Sequence, residues 1–277
     1  MTLGIYQFLH NGVTYDYPFI ESLKSAIPIA DQIVVCECES TDNTLQLLEE
    51  LQEEHKDKIK IVHHSWAKHF TDLSTIANYA SLFLDTDWKW QLQGDEVIHE
   101  DQYPNIRAWL QLIQKHSLNV TALTTKYTHF IANYETTFPF CYEEIKRIHK
   151  KGSKWLLVGD ACELAGGDDS EVLHTDIMVY HYGKVHPPDI GWKKEWDFQQ
   201  LFKDIGFPDP KMEEMREKLG EYCDYLYLFE TNIIDKKIKK FEKTHPKVMR
   251  DRISRFKHAG YEQFISKMRE NLKILNK

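Results

Sequence analysis

Residues 88–100 read WKWQLQGDEVIHE, and this stretch decides how the rest of the chain is interpreted. Its first half alternates aromatic or apolar side chains with polar ones, a period of two that is typical of a strand with one buried face. The alternation stops at Gly94, and the acid pair Asp95 and Glu96 follows at once. We therefore predict that the strand delivers both carboxylates to the C-terminal edge of a sheet, where open α/β sheets bind ligands. An ordinary Gly-Asp turn beside a solvated acid is the alternative.

The composition excludes several classes of protein. The chain has 277 residues, of which 42% are hydrophobic and 13% aromatic, enough for one well-buried α/β domain with or without a small appendage. Its net charge of −8 argues against a nucleic-acid partner, because such binding needs a basic surface that displaces counterions. Two basic segments, at residues 236–240 and 250–257, are interpreted as solvated helix faces rather than anion sites.

The cysteines and the apolar segments bear on where the protein works. The five cysteines are odd in number and irregularly spaced, as is typical of reduced thiols in the cytosol; they are Cys36, Cys38, Cys141, Cys162 and Cys223. There is no leading apolar segment, and no run approaches the roughly 18 apolar residues of a membrane span. We expect a cytoplasmic protein without a transmembrane segment, which would reach any membrane-linked substrate from the inner face.

Strand-like and helix-like segments alternate along the first half of the chain. The predicted strands cover residues 3–9, 32–38, 58–63 and 88–92, and the predicted helices cover 17–26, 45–51, 73–84 and 106–115. Such alternation with short connections predicts an α/β fold with a mostly parallel, Rossmann-like sheet flanked by helices.

The second half has a looser pattern. Further strands are predicted at residues 120–127, 145–149, 154–158 and 177–182, an irregular aromatic segment at 130–140, and a Gly- and Asp-rich loop, at least in part, at 159–169. Beyond Pro187 the chain turns mainly helical, with helices predicted at residues 196–204, 212–219 and 246–275. We place a boundary there, between an α/β domain at 1–187, which carries the sheet edge where a ligand would bind, and a helical C-terminal extension at 188–277 that packs on it.

Polar residues follow the second predicted strand, which ends near Glu37. Glu39, Ser40 and Asp42 come directly after it. A carboxylate at this edge could accept hydrogen bonds from a base or a ribose, as acidic residues do in dinucleotide-binding sheets. Ser40 and Asp42 are also plausible caps for the helix that follows.

Two more groups are expected at the same edge. Gln93, Asp95 and Glu96 offer hard oxygen ligands for Mg²⁺ or Mn²⁺ and, through the metal, for a diphosphate, since Mg²⁺ usually takes only one or two protein carboxylates. His181 ends a later strand, and its imidazole suits Mn²⁺ better than Mg²⁺. A core histidine satisfied by the backbone is the alternative interpretation of His181.

Four passages occur in an order that is similar to a known family. They are residues 10–22 (HNGVTYDYPFIES), 39–44 (ESTDNT), 88–100 and 179–188 (VYHYGKVHPP). In this order and at these separations the chain resembles the family 2 glycosyltransferases, which have the GT-A fold, and in particular a bacterial and viral branch with Q-x-D-E in place of D-x-D. The resemblance covers about residues 3–190.

The resemblance implies a hexosyltransferase-like activity in glycan biosynthesis. The donor would be a nucleotide-diphosphate sugar held with Mn²⁺ or Mg²⁺, and the acceptor a glycan, a lipid-linked molecule or a protein. By position, Glu37 matches the acid that contacts the nucleobase or ribose, and Glu39 and Asp42 lie in the neighbouring turn. Asp95 matches the last acid of D-x-D, and His181 falls where many GT-A enzymes have a C-terminal metal ligand.

Further positions are carried over with two departures. Asn78 matches an Asn on the helix before the D-x-D strand, and Asn11 would help to form the donor pocket. Gln93 stands where the first acid of D-x-D is expected, so it can offer a neutral carbonyl oxygen but no charge. Glu37 stands in place of the usual Asp of the second strand.

The resemblance also implies an inverting mechanism. A general base would deprotonate an acceptor hydroxyl, which then attacks the anomeric carbon as the diphosphate leaves. Asp160 is the first candidate for this base because it lies in a polar loop between the strand of Asp95 and His181, and Glu163 is the second. An ordinary turn residue is the alternative for Asp160.

Two other functions are weighed against this one. Gln93 raises the alternative of a catalytically silent, nucleotide-binding scaffold protein with the same fold. A nucleotidyltransferase, which would release pyrophosphate, is the other; the lack of GxxxxGK[ST] and GxGxxG motifs counts against it. The sugar, the nucleotide, the acceptor and the existence of a homodimer are left open by the sequence.

Overall fold

The structure is a computed structural model that describes residues 1–138, 142–205, 238–257 and 260–275. The predicted helix at 212–219, the end of the aromatic segment at 139–140, Cys141, Cys223 and the first two residues of the basic segment at 236–240 lie outside the described residues.

Strands and helices alternate strictly up to β4, as the sequence pattern predicts. The strands are β1 (Leu3–Leu9), β2 (Gln32–Glu37), β3 (Ile59–His63), β4 (Trp88–Gln91), β5 (Glu96–Ile98), β6 (Ala122–Ile131), β7 (Asn133–Thr137), β8 (Glu144–Lys150), β9 (Leu156–Val158), β10 (Glu163–Ala165), β11 (Val172–Leu173), β12 (Met178–Lys184) and β13 (Lys239–Lys240). The helices are α1 (Phe19–Ala26), α2 (Thr44–Glu54), α3 (Asp72–Ser81), α4 (Tyr103–Lys115), α5 (Pro188–Gln199), α6 (Arg250–Arg255) and α7 (Tyr261–Leu275).

The first four strands form the parallel part of the sheet, in the order β3-β2-β1-β4. Apolar residues of α1, α2 and α4 cover one face of it, and those of α3 cover the other. In β2 this two-sided cover buries Ile33 and Val35 on one face and Val34 and Cys36 on the other. That explains the continuous apolar run of this strand. The predicted α/β class, with a mostly parallel sheet flanked by helices, is confirmed.

The second half of the sheet contains antiparallel pairs. β4 pairs with β8, β8 with β6, and β6 with β7 in antiparallel fashion, whereas β12 runs parallel to β6 and antiparallel to β5. The prediction that residues 130–140 are irregular is wrong for the part the structure describes. β6 continues to Ile131 and β7 begins at Asn133, joined at Ala132, whose φ is 63°. Aromatic residues of this segment, Phe130 and Tyr134, are buried against β12.

Two predicted helices differ from the observed ones. The helix predicted at 196–204 begins earlier, at Pro188, because proline at the first helical position is pre-organised for a helix. The one predicted at 246–275 is interrupted, since α6 ends at Arg255 and Phe256 has an extended backbone. Within the described part of the chain, no helix combines the length and apolarity that crossing a membrane requires.

Residues 238–257 return to the sheet after the undescribed segment. β13 pairs with β7, and Met249 is buried in an aromatic cluster with Phe130 and Tyr182. His245 connects two strands of this cluster: its Nδ1 accepts from the Tyr182 hydroxyl at 2.8 Å, and its Nε2 donates to the Tyr134 carbonyl at 2.9 Å. The division at residue 187 stays a prediction.

His245 predicts a pH dependence of stability. Burial lowers the pKa of His245 to about 4, against the hydrogen bond to Tyr134, which raises it. Because an unfolded histidine titrates near 6.5, the unfolded chain binds more protons between about pH 6.5 and 4, and the free energy of unfolding falls as pH falls through that window. His245→Phe should lower the free energy of unfolding by about 1–2 kcal/mol at pH 7.5 through the lost hydrogen bonds. Urea unfolding should show the difference from the wild type shrinking towards pH 5; a difference independent of pH would contradict the buried, neutral state of His245.

Candidate functional site

The loops after β1 and β2 are hydrogen-bonded to each other through Asn11. This residue has a left-handed backbone (φ 50°), and its Oδ1 accepts from the Thr41 N–H at 2.7 Å. Its own N–H donates to Ser40 Oγ at 3.0 Å. The predicted donor-pocket residue therefore lies at the expected edge of the sheet, and its amide oxygen holds the two loops together.

Asp42 has a similar role. Its carboxylate accepts from the Thr14 N–H at 2.7 Å and from the Thr44 N–H at 2.9 Å. Burial raises the pKa of Asp42, but the hydrogen bonds from Thr44 and Thr14 outweigh it and hold the pKa below its usual range. Asp42 thus joins the loop after β1 to the first turn of α2.

Glu37 and Glu39 shape the loop after β2. Glu37 is buried, and its Oε1 accepts from the Ser40 N–H at 2.6 Å while Oε2 lies 3.4 Å from His63 Nδ1. Glu39 has a φ of 52° and accepts from the Trp66 N–H at 3.0 Å. The parallel strands bring these carboxylates beside Asn11 and Asp42, as expected, and the loops themselves use oxygens of both.

Asn78 lies on α3, and its side-chain amide is paired with a strand. Its Nδ2 donates to the Leu157 carbonyl at 2.9 Å, and its Oδ1 accepts from the Leu157 N–H at 3.0 Å. This pair of bonds attaches α3 to β9. The amide for which the resemblance implies a role in the donor site is used here to hold β9 against α3.

Asp95 lies between β4 and β5, where its side chain faces β12 and α5. Its Oδ2 is 3.6 Å from His181 Nε2 and 3.7 Å from Lys194 Nζ, and only 15% of its side chain is exposed. Burial raises the pKa of Asp95, but His181 and Lys194 outweigh it and hold the pKa below its usual range. Gly183 permits this approach, since a Cβ there would overlap the Asp95 carboxylate.

The hydrogen bonds of His129 fix the tautomer of His181. Burial lowers the pKa of His181 to about 4 and that of His129 to about 3, so both rings are neutral at pH 7. The Tyr142 carbonyl can only accept, so His129 Nε2 carries the proton of the 2.8 Å bond between them. His129 Nδ1 must then accept from His181 Nδ1–H at 3.0 Å. This leaves a lone pair on His181 Nε2, facing the carboxylate of Asp95.

This pair of ligand atoms fits a divalent cation. A carboxylate oxygen and an imidazole lone pair face each other with no proton between them, and a cation would stabilise both. Two adjacent ligands of a metal with bonds of about 2.1 Å lie about 3 Å apart, close to the 3.6 Å observed. His181 is also oriented by a hydrogen bond from its other nitrogen, as metal-binding histidines usually are. The site leaves most of the metal shell to phosphate and water.

Gln93 is held through its backbone. Its N–H donates to Glu96 Oε2 at 3.0 Å, and its carbonyl accepts from Ser22 Oγ at 3.1 Å. These bonds fix the backbone of Gln93 in the connection between β4 and β5, which also carries Asp95. The site therefore has a single carboxylate where a D-x-D motif would supply two.

In a second group of side chains that could bind a metal, the ligand atoms already form hydrogen bonds within the protein. Of the residues in the described ranges, His99, Glu100 and Asp101 are the one set of three such side chains with ligand atoms close together. His99 Nδ1 accepts from the Asp101 N–H at 3.1 Å, and Nε2 bonds Thr244 Oγ1 at 3.1 Å. Glu100 accepts from the Lys247 N–H at 3.0 Å. We assign no metal to this group.

Glu96 forms a fully buried ion pair with Arg147 behind Asp95. Arg147 Nη2 donates to Glu96 Oε1 at 2.7 Å, and both side chains are 0% exposed. The alternative of a solvated Glu96 is therefore wrong: the chain continues into β5 and carries Glu96 inward. Burial raises the pKa of Glu96 to about 7, while Arg147 acts in the opposite direction. Arg147 Nη1 also reaches the Ala161 carbonyl at 3.5 Å.

The two candidates for the catalytic base lie on the β9–β10 hairpin. Asp160 is in its turn, and its Oδ1 accepts from the Cys162 N–H at 3.2 Å. Glu163 begins β10, is 45% exposed and lies 3.5 Å from Lys146 Nζ. Arg147 joins this hairpin to β5 by contacting the Ala161 carbonyl and Glu96, the residue after Asp95. The assignment of either residue as base stays a prediction.

Three contributors to the site were not selected from the sequence, namely His129, Arg147 and Lys194. An arginine within the strand-like stretch EIKRIHK was a signal for a buried ion pair, because a buried charge needs a partner. Nothing in the sequence alone separates Lys194 from its neighbour Lys193. His129 lies in a β-rich segment whose face could not be assigned without its strand neighbours.

No family model matches this chain, and no curated protein matches it. It is similar in structure to residues 1–349 of TarS from S. aureus (13% identity, 84% of this chain and 75% of that one, TM-score 0.44). It is also similar to a mannosyltransferase from Pyrobaculum calidifontis in complex with GDP-Man and Mn²⁺ (14%, 83% and 70%, TM-score 0.43).

A third similar structure is glucosyl-3-phosphoglycerate synthase from Mycobacterium tuberculosis in complex with Mn²⁺ and uridine-diphosphate-glucose. The identity is 13%, the match covers 76% of this chain and 80% of that one, and the TM-score is 0.39. A likeness this distant carries no argument about activity, which must come from the residues of the site.

The Glu96–Arg147 pair predicts a large and asymmetric effect on stability. Arg147→Met alone should lower the free energy of unfolding by about 3–5 kcal/mol, because it leaves Glu96 buried without its partner. The double variant Glu96→Gln with Arg147→Met should recover part of that loss, because no buried charge is left uncompensated. Urea unfolding at pH 7.5 measures both, and additive losses would contradict the coupling.

The hydrogen bond of His129 predicts an effect on metal binding. His129→Phe removes the acceptor that holds the proton on His181 Nδ1, so we expect Mn²⁺ affinity to fall by about 10-fold or more. Asp95→Asn should abolish binding, and titration of Mn²⁺ followed by electron paramagnetic resonance measures it. His99→Phe, in the other group of ligands, is the control. If Mn²⁺ affinity falls in His99→Phe but not in His129→Phe, the metal binds at the group of His99, and the assignment to Asp95 and His181 is contradicted.

Proposed function

We propose that this protein is a glycosyltransferase that moves a sugar from a nucleotide-diphosphate sugar to an acceptor hydroxyl. The observation that carries the proposal is the convergence of the Asp95 carboxylate and the bare Nε2 of His181 at the C-terminal edge of the parallel strands. The loops after β1 and β2, where a nucleoside would lie, begin at the same edge, because β1, β2 and β4 run parallel. The resemblance of four sequence passages to family 2 glycosyltransferases, with their GT-A fold, points to the same activity.

Each group in the site has a defined task under this proposal. Asp95 and His181 would hold Mn²⁺ or Mg²⁺, which when bound offsets charge that grows on the leaving diphosphate. His129 keeps His181 in the tautomer that presents Nε2. Glu37 lies at the end of β2, where it would meet the base or ribose through the oxygen nearer His63.

The acceptor side of the reaction calls for a base. In the inverting mechanism that the resemblance implies, Asp160, or Glu163 in its place, takes the proton of the acceptor hydroxyl. The hairpin that carries both is connected to the strand of Asp95 through Arg147, so a change at the buried ion pair would move the base relative to the donor. Asp160 and Glu163 do not distinguish between a glycan, a lipid-linked molecule and a protein as the acceptor.

The proposal predicts nucleotide-dependent chemistry that requires Asp95. Calorimetric titration with UDP-, GDP- and dTDP-sugars, with and without Mn²⁺, should show binding of at least one of them. Donor hydrolysis or transfer should release a nucleoside diphosphate, and Asp95→Asn should lower its rate by about 10²-fold or more, as loss of a group that stabilises a developing anion does. Asp101→Asn, an exposed acid outside the site, is the matched control.

Three outcomes would contradict the proposal. Binding of no nucleotide under either condition excludes a nucleotide-sugar enzyme. Binding without any turnover identifies the silent scaffold protein. Release of pyrophosphate instead of a nucleoside diphosphate identifies a nucleotidyltransferase.

A further inference from the structure

Helix α5 crosses the edge of the sheet beside Asp95. It is attached to the loop after β1 by a hydrogen bond of 2.9 Å from the Tyr15 hydroxyl to Asp197. Lys193 pairs with Asp197 at 2.6 Å along the outer side of the helix. The next residue, Lys194, points the other way and is only 16% exposed.

Contacts with the backbone, with Asp95 and with an aromatic ring hold the ammonium group of Lys194 at the candidate site. Its Nζ donates to the Gly183 carbonyl at 2.6 Å, lies 3.7 Å from Asp95 Oδ2 and lies 4.3 Å from the centre of the Tyr17 ring. A buried ammonium is costly unless compensated, so these contacts explain how the charge is tolerated there. They also fix the side chain, so it has little freedom left to lose when it meets a ligand.

The charges around Asp95 favour a metal ion bound together with an anion over a metal ion bound alone. Asp95 contributes one negative charge, Lys194 one positive charge and Gln93 none, while the neighbouring Glu96–Arg147 and Lys184–Glu195 pairs each sum to zero. A divalent cation bound to Asp95 would share one carboxylate with the ammonium of Lys194 a few ångströms away, and the two cations would repel each other. A diphosphate placed between them would relieve that repulsion, and without a metal it would still meet one ammonium.

We propose that Lys194 binds the diphosphate of the donor and allows the site to hold a nucleoside diphosphate without a divalent metal. This inference rests on the proposed function, which it deepens. The fixed ammonium of Lys194 supplies part of the positive charge that a tightly held metal would otherwise bring to the diphosphate. The neutral Gln93 in the place of an acid is consistent with such a site.

The test compares UDP and GDP with UMP and GMP by calorimetric titration, in EDTA and in Mn²⁺. The wild type should bind at least one diphosphate in EDTA, more tightly than the corresponding monophosphate. Lys194→Met should weaken diphosphate binding in EDTA by at least 10-fold while changing monophosphate binding less than twofold. Lys194→Arg should retain most of the affinity. The matched control is Lys193→Met, on the same helix, which should stay within twofold of the wild type for both.

The outcomes separate this inference from the function beneath it. A loss of monophosphate and diphosphate affinity alike in Lys194→Met would mean that the residue only supports the fold, and overturns the inference. The inference is also overturned if the wild type binds diphosphates in Mn²⁺ but not in EDTA. It is overturned as well if Lys194→Met binds diphosphates as tightly as the wild type while Asp95→Asn does not bind them. The proposed function survives each of these three results. A wild type that binds no nucleotide in either buffer overturns both.

Discussion

The buried ion pair of Glu96 and Arg147 is the constraint on which the candidate site depends. A charge pair with no exposure is tolerated when its geometry is fixed and most of its other polar atoms find partners. Here Glu96 also accepts from the Gln93 N–H and Arg147 Nη1 reaches the Ala161 carbonyl, whereas Arg147 Nε is buried without a hydrogen-bond partner. The inward direction of Glu96 turns its neighbour Asp95 towards β12 and α5. One interaction therefore orients the candidate metal ligand and connects it to the hairpin that carries Asp160.

The second constraint is the low exposure of the groups around Asp95. Water screens the interactions between charges little in such surroundings, so each charge has a large effect on its neighbours. The pKa of Asp95 lies below its usual range and that of His181 at about 4, both shifts that leave a carboxylate facing an unprotonated nitrogen. Such a carboxylate is unfavourable in a hydrophobic core without a partner. It suits a site in which a cation, either a metal ion or the ammonium of Lys194, lies beside it.

The sequence predicted the parts of the fold that are governed by local periodicity. The apolar run in β2 reports directly that both of its faces are buried, and β1 was predicted with its observed ends. The alternation in β4 predicted the strand but not its surroundings, because Gln91 on the polar side is fully buried as well. Pairing between distant strands leaves no such local signal. β5 and β7 were therefore missed: each forms because a partner, β12 or β6, is brought beside it by the rest of the sheet. The inward position of Lys194 likewise depends on how α5 lies against the sheet.

The motif residues show why position at an edge does not by itself define a ligand contact. Asn11 and Asp42 lie where the sequence places them, yet their oxygens accept backbone N–H groups of the adjoining loops. Asn78 is used in the same way by β9. A left-handed residue and two loops without regular structure need such side-chain acceptors to satisfy their backbone, so the motif meets a demand of folding first. The ligand contacts that we propose are therefore assigned to other groups, the Asp95 carboxylate, the His181 ring and the Lys194 ammonium, which lie close together beyond β4.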